Sequence, residues 1–98
     1  MNTNTVVLGI CEDNTLHRRL LFDYLSKCFN ALSINYDIFE FSSRKELLNK
    51  YPNNIDLLFL DIQMSDLNGM DTARKIREFD NNVEIIFTTS LLDYACEG

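Results

Sequence analysis

Apolar positions along this chain follow two rhythms. Residues 6–11 (VVLGIC) and 55–60 (IDLLFL) are short, nearly continuous apolar runs. Such runs mark strands buried on both faces, as in a parallel sheet. Residues 34–41 (INYDIFEF) alternate and read as another strand, and residues 83–89 (VEIIFTT) as the fourth by order. Between them the period lengthens. Leu16, Leu20, Tyr24, Cys28 and Leu32 fall four apart, flanked by Leu21, Leu25 and Phe29. This spacing predicts one apolar face of a helix over residues 15–32, with Asn14 as its N-cap. Ser42 and Ser43 are placed to cap a short helix running to about Lys50, with Leu47 and Leu48 inward. YPNN at 51–54 is a turn signal. Residues 62–68 read as a polar, Met-containing loop. Gly69 opens a third helix whose predicted inward face is Met70, Ala73, Ile76 and Phe79, and residues 80–82 break it. Ser90 begins a further helix.

The predicted order is β-α-β-α-β-α-β. Strands alternating with helices imply a parallel α/β sheet with right-handed crossovers. The 98 residues suffice for one small domain with a thin stability margin. No internal repeat or linker is visible. Half-apolar composition, at 46%, suits a packed core rather than disorder. No run is long enough to span a membrane, and MNTNT lacks the form of a signal peptide, so a cytoplasmic location is expected. The net charge of −6 argues against nucleic-acid binding by this segment, which would need a basic face. Cys11, Cys28 and Cys96 form no metal-ligand spacing, and a zinc site would need a fourth ligand with only His17 on offer. They read as small apolar residues in a reducing compartment. His17 reads as a rim residue, Met64 and Met70 as packing, and Arg74, Lys75 and Arg77 as a solvated helix face.

The acidic excess has a more specific use. In open α/β sheets, sites form beyond the carboxyl ends of the strands. The first strand runs into Glu12 and Asp13, the third into Asp61, and the fourth into Thr88 and Thr89. If those three strands are neighbours, three carboxylates and a hydroxyl converge. Like charges so close call for a cation. Hard oxygen ligands with an open mouth favour Mg²⁺. A carboxylate there can also attack phosphorus, with the metal offsetting the repulsion between anions.

The acidic pair in ICEDN, the segment LLFLDIQMSDLNG and the sequence IIFTTS together resemble the receiver domain of two-component response regulators. Asp61, Met64 three residues on and Gly69 eight residues on follow that family's pattern, with Ser65 where Pro is usual. The final stretch IIFTTSLLDYACEG is similar to regulators carrying a LytTR-type DNA-binding domain. The resemblance implies a flavodoxin-like doubly wound sheet with strand order 2-1-3-4. It implies that Asp61 is the phosphoacceptor, not a turnover enzyme's nucleophile, and that a sensor histidine kinase is the donor. Mg²⁺ would be held by Asp13, by Asp61, by Glu12 through water and by the Gln63 main-chain carbonyl. Thr89 would be the switch hydroxyl, with Thr88 the alternative one place back.

The family's fifth strand, with its terminal Lys, and last helix find no match in residues 1–98. The expectation is an incomplete receiver domain whose output, a transcriptional domain, lies elsewhere. An open fourth strand would invite a homodimer or a domain-swapped dimer. The alternative function is therefore an interaction module without efficient phosphotransfer. Other readings fit less well. A dehalogenase-type phosphatase needs a second Asp two places after the nucleophile, where Gln63 stands. A nucleotide or flavin binder needs a Gly-rich or hydroxyl-rich loop where Glu12 and Asp13 stand.

Overall fold

The computed structural model describes residues 5–62 and 69–88. In chain order the elements are β1 (Val6–Cys11), α1 (Thr15–Ala31), β2 (Tyr36–Phe41), α2 (Arg44–Asn49), β3 (Leu57–Asp61), α3 (Gly69–Arg77) and β4 (Glu84–Thr88). The strands form one sheet in the order β2-β1-β3-β4, with every neighbouring pair parallel. This is the doubly wound architecture expected from the sequence.

Each face of the sheet has its own core. Leu8 and Ile10 pack with Leu25 of α1, and Leu21, Phe22, Phe29, Ile38, Leu57 and Phe59 close around them. On the other face Val7, Cys11, Leu58 and Leu60 meet Leu47 of α2 and Ile76 of α3. Burial on both faces is why β1 and β3 show no alternation. At Gly9 a Cβ would lie 3.0 Å from Leu58 Cδ1 and 3.2 Å from Ile55 Cδ1, so a larger residue in β1 there would require those side chains to shift. At the base of the sheet the Asp56 carboxylate accepts from the Val7 amide at 2.8 Å. Its own amide donates to Val7 O at 2.8 Å, and its carbonyl accepts from Glu84 at 2.9 Å. One residue thus ties the starts of β1, β3 and β4 together, which sets the register in which their far ends line up.

The caps follow the sequence. Asn14 Oδ1 accepts from the His17 amide at 3.0 Å, and Ser43 Oγ from Glu46 N at 3.0 Å. The Glu46 carboxylate reaches back to the Ser42 amide at 2.7 Å, a reciprocal arrangement of the capping-box kind. The end of α1 differs from expectation. Ser33 takes a left-handed φ of 57°, its amide donates to Asn30 O, and the Ile34 amide donates to Phe29 O. Those two bonds make a Schellman cap. Ile34 therefore closes the helix instead of opening β2, which starts at Tyr36.

Two predicted faces are corrected. Leu16, Leu20 and Tyr24 are 55%, 39% and 64% exposed, whereas Leu25 is buried. A step of four residues turns about 40° past a full circle, so a long i+4 series winds off any one face. Leu21, Phe22, Leu25 and Phe29 lie within about 100° of arc and form the true contact stripe. In α3 the buried residues are Thr72 and Ile76, while Met70 and Phe79 are exposed. Phe79 lies past the end of the helix and meets the Tyr51 ring edge-on, with centroids 5.0 Å apart. Cys11 is buried and Cys28 half-buried, in keeping with their reading as small apolar residues. Arg74 pairs with Asp71 at 2.9 Å on an exposed face. Among the described residues, no helix is long and apolar enough to cross a membrane.

The corrected face of α1 predicts a clear asymmetry. Leu25→Ala should cost about 2–5 kcal/mol of unfolding free energy by denaturant titration, and Leu16→Ala less than about 0.5 kcal/mol.

Candidate functional site

The sheet changes winding direction between β1 and β3, and the acidic residues lie beyond the carboxyl ends of those two strands. Asp61 is the last residue of β3, 3% exposed and paired in register with Thr88 of β4. Glu12 follows β1 directly. Its amide donates to Phe41 O at 3.0 Å, carrying the β1–β2 ladder one step further, and its side chain is buried. Asp13 is exposed at the mouth. One carboxylate oxygen from each of Glu12, Asp13 and Asp61 lies within 4.8 Å of the others. The structure thus brings together the three acids that the sequence placed on two separate strands. Gln63 and Thr89 lie outside the described residues. Thr88, the alternative hydroxyl, is half-buried, and its carbonyl accepts from the Ile62 amide at 3.0 Å.

The electrostatics of this corner are severe. Burial drives the Glu12 carboxyl from its ordinary 4.5 up to about 7. The Asn14 amide, donating to Glu12 Oε2 at 3.0 Å, opposes the rise. A hydrogen bond to Asp61 and the charges of Asp61 and Asp13 add to it. Near neutral pH the corner therefore holds a proton, or needs a cation. The donor set is all oxygen, partly buried and open at Asp13, which fits a small hard divalent ion such as Mg²⁺.

Two residues that the sequence did not single out surround this corner. Arg18 of α1 donates from Nη1 to Glu12 O at 2.8 Å, and its Nε lies 3.4 Å from Glu40 Oε1. Arg44, the first residue of α2, is 1% exposed and donates from Nη2 to the main-chain carbonyl of Asp61. A signal was present: each arginine falls in the first turn of its helix, where the dipole disfavours a cation. A basic residue there needs a negative partner outside the helix. His17 is half-buried beside the Asn14 cap, in keeping with a rim position.

The raised Glu12 carboxyl sets a pH dependence. Between pH 4.5 and about 7 the folded, metal-free chain binds a proton that the unfolded chain has released. Unfolding stability should therefore fall as pH rises through that window. The expected loss is on the order of 1 kcal/mol, because water at the open mouth screens the group, or roughly 4–8 °C in thermal midpoint. Thermal melts in chelator should show this slope, and Glu12→Gln should remove it.

Residues 8–96 match the family described as the response regulator receiver domain. The sensory transduction protein LytR of Staphylococcus epidermidis is 37% identical over 90 residues, covering 91% of this chain and 34% of that protein. LytT of Oceanobacillus iheyensis is 46% identical over 56 residues, 54% of this chain and 23% of its own length. The chain thus spans 34% and 23% of these two relatives' own lengths. Among solved structures, the response regulator TrrA of Thermotoga maritima in complex with Mg²⁺-BeF superposes with a TM-score of 0.73 at 27% identity. That match covers 94% of this chain and 76% of TrrA. A complex of the histidine kinase ThkA with TrrA matches with a TM-score of 0.67 at 28% identity, covering 87% of this chain and 69% of that one. With the matched segment running from β1 past β4, and with three acids at the strand ends where the winding reverses, the chain belongs to the response regulator receiver domain family.

Proposed function

We propose that Asp61 is the phosphoacceptor of this receiver domain and that the transfer depends on Mg²⁺. The observation that carries this reading is the convergence of Glu12, Asp13 and Asp61 within 4.8 Å at the carboxyl ends of β1 and β3. The complex of the relative TrrA with Mg²⁺-BeF supports it. Asp13, Asp61, Glu12 and the Gln63 carbonyl would hold the ion. When bound, Mg²⁺ supplies positive charge between the carboxylates and the incoming phosphoryl oxygens.

The remaining work belongs to the chain. An Asp61 carboxylate oxygen attacks phosphorus. The new bond is C–O–P, and the bond to the donor breaks, its electron pair leaving on the donor atom. With a kinase phosphohistidine as donor, the broken bond is P–N and the leaving group is imidazole. Thr89, the residue after Thr88, which is in register with Asp61, would hydrogen-bond a phosphoryl oxygen and report its arrival to β4. The donor is a sensor histidine kinase, as the ThkA–TrrA complex illustrates for that relative. The output would be the LytTR-type DNA-binding domain implied by the resemblance of the stretch IIFTTSLLDYACEG, acting in the cytoplasm. DNA contact by residues 1–98 themselves is not part of this reading, given their net charge of −6.

Incubation with Mg²⁺ and acetyl phosphate should add one phosphoryl group by intact mass. Asp61→Asn should abolish the gain, and a gain that survives that substitution would overturn the assignment. Asp13→Asn should slow the reaction at least about tenfold at sub-saturating Mg²⁺.

A second reading rests on a separate observation. β4 ends the sheet among the described residues, with Ile86 and Phe87 38% and 40% exposed. A strand edge of that kind recruits another chain. We infer that the 98 residues self-associate through β4 as a homodimer, with or without exchange of elements. Sedimentation should show a dimer at high concentration that Ile86→Lys returns to monomer.

A further inference from the structure

Arg18 and Arg44 approach the acidic corner from opposite faces of the sheet, one from α1 and the other from α2. Each ends on the main-chain carbonyl of an acid: Arg18 Nη1 on Glu12 O at 2.8 Å, and Arg44 Nη2 on Asp61 O. The last β1–β3 register pair is Cys11 with Leu60. The carbonyl of Asp61 thus lies just past the point where the ladder on that side stops, and Arg44 takes the place of the next strand donor. Both arginines occupy first helical turns, against the dipole, and Arg44 is 1% exposed. Burying a guanidinium there is tolerable only beside concentrated negative charge. The acidic corner is that charge. Binding at the carbonyls fixes the backbone of the two acids.

Resting on the site assignment above, we infer that Arg18 and Arg44 are positioning residues for the metal. They hold the main chain of Glu12 and Asp61 so that the three carboxylates meet Mg²⁺ in a single preset geometry. Both act through main-chain carbonyls. Their own positive charge would by itself repel Mg²⁺. A pure charge effect and a positioning effect therefore have opposite signs, and affinity separates them.

The test is the Mg²⁺ dissociation constant of the full chain by calorimetry, at a temperature where circular dichroism shows each variant folded. Arg44→Met and Arg18→Met should each weaken Mg²⁺ binding about tenfold or more, as loss of a ligand-orienting contact does. Arg44→Lys, which keeps the charge and one donor, should recover affinity to within about threefold of the unmodified chain. Glu40→Gln, which breaks the ion pair of Arg18 but not its bond to Glu12, should leave affinity unchanged. Unchanged or tighter binding in the folded Met variants would overturn the inference. If Arg44→Met does not fold, Arg18→Met, at a 19% exposed position, decides alone. Should the unmodified chain bind Mg²⁺ with no dependence on Asp13, or not bind it, the site assignment fails and the inference with it. Asp13-dependent binding that is indifferent to both arginines overturns the inference only.

Discussion

Three carboxylates held within 4.8 Å of one another repel, and that repulsion sets the terms for the rest of the molecule. In water the charges would separate. Here Glu12 and Asp61 are buried, and each is fixed to a strand end that cannot move without breaking a ladder. Burial above all, with the neighbouring charges adding to it, leads Glu12 to hold its proton up to about pH 7. The same stress makes the corner receptive to a divalent cation, since an ion relieves both the burial cost and the repulsion at once. The reactivity towards phosphorus proposed for Asp61 would follow from this poise. A carboxylate whose charge is partly neutralised can approach an anionic donor that it would otherwise repel.

Holding such a corner requires a scaffold that does not relax. The sheet supplies it by burying apolar residues on both faces, so β1 and β3 are clamped between α1 on one side and α2 with α3 on the other. Asp56 ties the opposite ends of three strands together. The helices contribute more than packing. Their first turns deliver Arg18 and Arg44 to the backbone of the acids, which links the position of α1 and α2 to the state of the site. A receiver domain works as a switch only if its acid corner and its surface elements share such connections.

The order of strands and helices and the identity of the acids were legible in the sequence, because both rest on local physics. A parallel strand buried on two faces must be apolar throughout, so VVLGIC and IDLLFL announce themselves, and an acid directly after such a run must sit at a sheet end. The caps at Asn14 and Ser43 are likewise local, each a side chain bonding an amide three residues on. The resemblance of the Asp61 segment to receiver domains added roles that spacing alone does not assign.

What the sequence could not determine depends on rotation, on neighbours and on reach. The stripe from Leu16 to Leu32 looked like a core face, but a helix advances about 100° per residue, and only the docked sheet decides which arc is covered. Met70 faces outward for the same reason, whereas Phe79 lies past the end of α3. Arg18 and Arg44 were invisible as site residues because their partners are carbonyls, and a carbonyl carries no sequence signature. The acids themselves were readable one at a time. That Glu12, Asp13 and Asp61 form one corner, buried enough and with enough like charge for Glu12 to hold a proton near neutrality, was decided by the packing of the sheet and by β1 and β3 pairing side by side: burial and like charges on distant parts of a chain act only once the fold brings the groups together.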